Sequence, residues 1–462
     1  MINMGKIKIG LLLLYLKLYD DTMPDLRKEF EPFIKDVKNR LEQKELDVKV
    51  SPICRLDEEF KKAVKDFEAS GVNVIVTLHL AYSPSLECVS ALTETKLPIV
   101  VLDTTLKYHF SNRLVSNDIM LNHGIHGVQD MCNILLRNNK NFLITTGHFE
   151  KSDLLDRLVK KIKSVAVFNL LNTSRVGRLG GPFYGMGDFY VPKNILKRDL
   201  GIVTIEGDFT EVANLMPNQN DKLIQEEVKS DLSLFDIENL ESDVHFNSVR
   251  IGIAVRRWIE QNKLDAFTIN FSNLSSESGF PTIPFLEASK AMARGIGYAG
   301  EGDVMTAGLV GSLLKIYPET SFTEMFCPDW KENIILLSHM GELNISLVSG
   351  KSKLIMKDLP FIQVSNPAVA IGQFKEGKAV LVNFSPSLNN YTLILSHVEM
   401  IDLKHELKDS VTGWIKPEIP IDDFLSEYSK AGGSHHSAIV YGNVYDELLD
   451  FGRIMGCRIV EI

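Results

Sequence analysis

The chain has 462 residues, 45% of them apolar and 24% charged, with a formal net charge of −10. The length exceeds the ~100–200 residues usual for one domain, and the composition excludes a disordered, collagenous or coiled-coil chain as a whole. The negative balance argues against a nucleic-acid surface, which needs clustered basic side chains to displace counterions.

In chain order, apolar runs at Ile7–Tyr15, Asp47–Ile53, Val72–Leu80, Pro98–Asp103 and Asn141–Thr146 predict strands. Helical patterns near Asp25–Glu42, Glu58–Ala69, Pro84–Thr95, His126–Leu136 and Lys151–Ser164 separate or follow them. Strands joined by amphipathic helices give a parallel sheet covered on both faces, hence runs such as Val74–Val76 that are apolar without alternation. The expectation for residues 1–168 is a doubly wound, flavodoxin-like α/β domain, which binds ligands at the carboxyl ends of its strands.

A glycine-rich loop, Gly177–Gly187, marks a change of character. A strand at Leu200–Glu206, a polar stretch from Pro217 to Asn247, a helix near Ser248–Gln261 and a strand at Ala266–Phe271 follow. A helix near Pro284–Ala293, an interruption at Gly295–Gly302 and a helix at Asp303–Ile316 complete a second α/β domain over residues 169–320. From Ser321 the pattern changes to strands and turns, with strands expected at Asn333–His339, Leu343–Val348, Lys353–Met356, Val369–Phe374, Ala379–Phe384 and Tyr391–His397. A mostly antiparallel β domain over residues 321–462 is expected, closed by a short helix near Asn443–Met455.

The five cysteines are scattered and never in C-x-x-C spacing, which excludes a disulfide framework or zinc ribbon and fits a reducing compartment. The apolar run Ile9–Leu16 is followed by Lys17, Asp20 and Asp21 without a small-residue cleavage site, and no stretch approaches the ~20 apolar residues of a membrane span. A cytoplasmic protein with no membrane partner is expected.

Two phosphate-loop look-alikes fail on context. Gly295–Gly300 matches G-x-G-x-x-G but follows a helix rather than a strand, and Gly350-Lys351-Ser352 lacks the required glycine at position 345, which is Ile. Three segments carry more weight together. Gly300-Glu301-Gly302-Asp303 stands at a helix start, where free N–H groups favour carboxylates. Thr320–Glu324 brings a second carboxylate, and the strand Asn333–His339 ends in an imidazole. Taken singly, these read as a cap, a solvated loop glutamate and a rim histidine. In Gly432-Gly433-Ser434-His435-His436, adjacent histidines are expected to diverge, so that one of them joins a given site. Two glutamates and two histidines suit an open site for Mn²⁺, Co²⁺ or Fe²⁺ better than a closed Zn²⁺ site.

The block Gly297–Asp303, followed by Ser321–Glu324, Ser338-His339-Met340 and Gly432–His436, resembles L-arabinose isomerases in content and order. Leu121–Gly127, Thr145–His148 and Ala266–Phe271 are similar to that family too, so the resemblance runs from about residue 70 to 440. The wider L-arabinose/L-fucose isomerase-like superfamily shares the layout. The resemblance implies three domains and a metal-dependent aldose–ketose isomerase that uses a metal-stabilised enediolate. It implies Mn²⁺ (or another divalent metal such as Co²⁺) on Glu301, Glu324, His339 and His436, with Glu301 and Glu324 also the acid/base pair. His435 would be structural or lie behind the ligands. His126, Tyr82, Phe271 and Met186 would meet a small-molecule sugar, His126 across a subunit boundary in a homo-oligomer, trimer or hexamer. A non-catalytic sugar-binding or regulatory protein, or another metal-dependent sugar enzyme such as an epimerase, is the alternative on the same scaffold. The chain departs from the family near the pocket. Leu13–Lys17 replaces a Gln-His segment, Val304 stands for a Trp, and Met325 for an acid. The segment Arg175–Gly187 looks more like other members of the superfamily.

Overall fold

In the computed structural model, which describes residues 6–110, 112, 115–388 and 390–462, the strand β1 (Lys8–Leu14) is buried along all but its first residue and β3 (Val74–His79) along its whole length. With β2 (Asp47–Cys54), β4 (Ile99–Asp103) and β5 (Leu143–Thr146) they form a parallel sheet of order β2-β1-β3-β4-β5. Alternate side chains enter two cores. Leu11, Leu13, Val76 and Leu78 serve one, and Leu12, Leu14 and Ile75 the other. This is the flavodoxin-like order, with the chain reversing direction of travel between β1 and β3. These strands belong to a unit formed by residues up to Asn169 together with 450–456.

At the carboxyl end of β3, His79 is buried with neither ring nitrogen hydrogen-bonded among the described residues. Gly127 makes room for it, since a Cβ there would lie 2.8 Å from the ring. Burial pushes the His79 imidazole down to about 3, outweighing the opposite pull of Asp130. A histidine with a depressed folded value binds its proton more readily when unfolded, so stability is complete above about 6.5 and falls as the pH drops toward 3. Between pH 7 and 5 the loss should be about 2 kcal/mol. Thermal melts across that range should show a flatter profile in His79→Leu; identical slopes would exclude this origin.

The second unit comprises residues 170–449 and 457–462. Its strands are β6 (Arg175–Leu179), β7 (Val203–Gly207), β8 (Asp236–Ile237), β9 (Ala266–Ile269), β10 (Gly297–Gly300), β11 (Thr320–Asp329), β12 (Ile334–Ser338), β13 (Lys353–Met356), β14 (Ala368–Ile371), β15 (Gly377–Pro386), β16 (Tyr391–Ile401), β17 (Gly413–Pro417), β18 (His436–Tyr441) and β19 (Arg458–Glu461). Four make a parallel sheet, β10-β9-β6-β7. Six pair antiparallel in a closed ring, β15-β18-β11-β12-β17-β16 with β16 returning to β15, and β19 joins β16 in parallel. Closure removes the unpaired edges that an open sheet of this size would expose. A small sheet, β14-β13-β8, completes the unit. Among the described residues no helix is long and apolar enough to cross a membrane.

Several elements differ from the sequence expectation. The interruption at Gly295–Gly302 contains β10, which has two glycines among its four residues and so none of the β-branched signal of a strand. A Cβ at Gly297 would sit 2.3 Å from the Gly311 amide, so the glycine serves strand-to-helix packing. Leu343–Val348 is a 3₁₀ turn, Ile345–Leu347, because the Asn344 side chain accepts from the Ser346 amide and bends the chain. The polar stretch after Pro217 holds the amphipathic helix Lys222–Leu234, capped by Asp221, and the start of the helix Ser242–Asn262. Glu324 lies on a strand, not in a loop.

Candidate metal centre

Glu301 occupies the turn between β10 and the helix Val304–Ile316 with φ +63°, a backbone state unusual for a residue with a side chain and typical of functional turns. Its amide donates to the Ile269 carbonyl at 3.0 Å. Asp303 caps the helix by accepting from the Thr306 amide at 2.9 Å. In the barrel, Glu324 on β11 stands directly across from His436 on β18 and from Ser338 on β12, the residue before His339. Strand register therefore sets one carboxylate between two imidazoles.

The distances follow from that register. His436 Nε2 lies 3.0 Å from Glu324 Oε1 and 3.5 Å from Glu301 Oε2. His339 Nε2 is 3.2 Å from Glu324 Oε1, and His435 Nε2 is 3.4 Å from Glu301 Oε2. One donor atom each from Glu301, Glu324, His435 and His436 falls within a 4.8 Å span. Both adjacent histidines therefore join the cluster, contrary to the expectation that they diverge. Alternation of side chains holds only inside a strand, and His435 precedes the first residue of β18.

A carboxylate holds the far side of each ring. His436 Nδ1 donates to Asp303 at 2.9 Å, His339 Nδ1 to Glu342 at 2.6 Å and His435 Nδ1 to Asp188 at 2.7 Å. An ionised carboxylate only accepts, so each Nδ1 carries a proton, and each Nε2 can present a lone pair to a cation once its own proton leaves. His436 Nε2 is buried and makes no hydrogen bond of proper geometry among the described residues. Phe189 stacks on His436 at 4.9 Å, while Phe322 sets its edge against His339 and His436.

Charge pairing prevails over burial throughout. Burial alone would raise the carboxyls, but His435 and His436 hold Glu301 at about 2, and His339 and His436 hold Glu324 well below its ordinary range. Burial would lower the imidazoles, yet Glu342 and Glu324 lift His339 to about 10, and Asp303, Glu301 and Glu324 lift His436 well above its ordinary value.

Residues 204–317 match the L-arabinose isomerase central domain and residues 319–458 the L-arabinose isomerase C-terminal domain. An L-arabinose isomerase of Shouchella clausii (strain KSM-K16) is 24% identical over 423 residues, covering 88% of this chain and 84% of that protein. L-arabinose isomerase 2 of Clostridium acetobutylicum is 22% identical over 478 residues, covering 96% and 93%. The chain belongs to the L-arabinose isomerase family. It is thereby an enzyme of the sugar isomerase class, the intramolecular oxidoreductases. L-arabinose isomerase of Oceanobacillus iheyensis shows 25% identity over 407 residues, 84% of either chain.

Of the residues that resemblance to this family singles out, Glu301, Glu324 and His436 share the 4.8 Å cluster, whose fourth member is His435, while His339 meets it through Glu324 Oε1 at 3.2 Å. Phe271, half-buried just past β9, lies 5.7 Å from the Phe183 ring and 5.8 Å from Phe361. Met186 is half-buried in the glycine-rich loop, its amide donating to the Phe183 carbonyl at 3.4 Å. His126 and Tyr82 belong to the first unit, where their rings stack at 4.7 Å and 8° and the Tyr82 hydroxyl donates to Asp130 at 3.3 Å. Sequence reasoning missed Asp188 and Glu342 altogether and saw Asp303 only as a cap. Glu342 had a local signal, three residues after His339. Asp188 had only its place in Gly185-Met186-Gly187-Asp188.

Proposed function

We propose that this family member is a cation-dependent aldose–ketose isomerase acting on L-arabinose or a closely related pentose or hexose, at a site formed by Glu301, Glu324, His339 and His436. One observation carries the reading: the orphaned Nε2 of His436, fully buried, its Nδ1 committed to Asp303, lies between two carboxylates. A buried polar atom without a well-directed partner costs about 1–3 kcal/mol, and a cation that displaces the Nε2 proton is what two carboxylates and imidazole lone pairs can all satisfy. Mixed oxygen and nitrogen donors without thiolate suit Mn²⁺ or Co²⁺. When bound, such a cation would polarise the sugar carbonyl and offset negative charge developing on the neighbouring oxygens.

The side chains do the remainder. Isomerisation moves one proton between C1 and C2 and another between O1 and O2. Glu301 and Glu324, both held ionised, are the proton carriers, one accepting at carbon and the other serving the hydroxyls. His339 and His436 add donors without negative charge that would repel the developing anion. Phe271 and Met186 act as walls of the sugar pocket, and His126, with the Tyr82 ring stacked on it, as a further sugar contact across a subunit boundary. A cytoplasmic homo-oligomer, trimer or hexamer, with active sites at subunit interfaces completes the reading; a monomer by light scattering at assay concentration would remove that part.

The test is chelator dialysis, reloading with Mn²⁺ or Co²⁺, and a ketose assay over a panel of aldoses beginning with L-arabinose. One cation per chain and ketose formed only in its presence are expected. Cation retained with no ketose from any sugar would favour a sugar-binding protein or an epimerase instead.

A further inference from the structure

We infer that a cavity of about 370 Å³ in the second unit binds a phosphate monoester carrying an apolar group. The cavity shares no residue with the cation cluster. Its floor is apolar, formed by Leu234, Phe235 and Ile345. Lys290, Arg294 and Lys351 bring three cations to its walls, and among the described residues no carboxylate lines it. In a chain of net charge −10, so one-sided a lining runs against the overall balance. The partners of these cations stand outside the lining. Lys290 meets Asp231 at 2.7 Å and also Glu227, Arg294 meets Glu287, and Lys351 meets Asp236 at 3.1 Å.

Those contacts leave donors unspent. Arg294 donates to Glu287 through Nη2 alone, so its Nε and Nη1 have no acceptor among the described residues. Ser352 points the same way. It is 5% exposed, lines the cavity, and its hydroxyl makes no hydrogen bond among the described residues. A hydroxyl so buried calls for a partner. Arginine and lysine only donate, so what these groups lack in common is an acceptor. A phosphate monoester offers three acceptor oxygens and a charge of about −1.5 to −2 at neutral pH. A carboxylate, with two oxygens and one charge, matches three cations and a hydroxyl less well. The apolar floor favours a hydrophobic substituent, which gains by leaving water. A simpler account would have the cations offset the carbonyl end of the helix Phe285–Ala293. That covers Lys290, in its last turn, but not Lys351 and Ser352. These come from the separate turn Gly350-Lys351-Ser352, which fails as a phosphate loop yet delivers a lysine and a hydroxyl to one hollow.

The experiment titrates the full chain with phenyl phosphate by calorimetry, beside inorganic phosphate, benzoate and benzyl alcohol, and repeats the phenyl phosphate titration on Arg294→Gln, Lys351→Gln and Ser352→Ala. One phenyl phosphate per chain is expected. Inorganic phosphate, benzoate and benzyl alcohol should each bind at least about tenfold more weakly, since each lacks part of what the cavity recognises. Arg294→Gln and Lys351→Gln should each weaken phenyl phosphate at least about tenfold, as for loss of a charged contact, and Ser352→Ala about threefold. No saturable binding of phenyl phosphate below about 10 mM would overturn the inference. So would an affinity unchanged in both Arg294→Gln and Lys351→Gln, which would place the ligand elsewhere. Any of the three comparison compounds binding as tightly as phenyl phosphate would overturn it too, by removing the role of the apolar floor, of the phosphate or of charge. Lys351, whose side chain is 43% exposed, can change without disturbing the fold, so Lys351→Gln decides alone should the other variants fail to fold.

Discussion

Glutamine in place of Glu301 or Glu324 should lower kcat by ~10²-fold or more at saturating cation, the usual cost of losing a general acid–base group. The substitution keeps the side chain's length and its capacity to accept a hydrogen bond while removing the charge and the proton affinity. Glu301 sits at φ +63° and Glu324 pairs across two strands, but both constraints lie in the backbone and are the same for glutamine. Circular dichroism and thermal melting should therefore report an intact fold. The two variants differ in their neighbours. Glu324 stands between His339 and His436, so its loss frees two imidazoles, whereas Glu301 faces His435 and His436. Cation affinity should fall in both, and kcat must be compared after loading. Turnover within a few-fold of the unmodified chain in either variant would defeat the assignment of that glutamate.

Alanine at Asp303 should weaken cation affinity by roughly 10–100-fold, the range for loss of a carboxylate behind a histidine ligand, and should also lower stability. One buried side chain has two partners. Its Oδ1 accepts from the Thr306 amide and caps the helix Val304–Ile316, while Oδ2 accepts from His436 Nδ1. Losing the cap costs about 1 kcal/mol, and leaving a buried ring N–H unmet costs about 1–3 kcal/mol more. Asp303→Asn separates the two roles. Its side-chain oxygen can serve the cap or the imidazole N–H, but it lacks the charge that steadies His436. Stability should return most of the way in that variant, and cation affinity only partly. Calorimetric titration with Mn²⁺ and thermal melting measure the two quantities. Equal cation affinity in Asp303→Ala and the unmodified chain would show that the Asp303–His436 contact has no part in the site.

The fold was most legible where burial is two-sided and local. The runs in β1, β3 and β4 are apolar without alternation because both faces are covered, and that signal needs no knowledge of neighbours. It was least legible where an element owes its form to a distant contact. β10 packs as a strand because Gly297 admits the helix Val304–Ile316 at backbone distance, and Asn344 makes a turn of a segment whose apolar residues suggest a strand.

The candidate site divides along the same line. Residue order alone determined that two carboxylates and a set of imidazoles are present, and that one carboxylate stands in a glycine-flanked turn at a helix start, since those features depend on neighbours a few positions away. Only the tertiary structure decided that Glu324 lies between His436 and His339, that His435 turns toward the cluster rather than away, and that Asp188, Asp303 and Glu342 stand behind the three rings. Those relations depend on strand register across a closed barrel and on loops meeting from positions far apart in the chain, and no periodicity within a single segment encodes them.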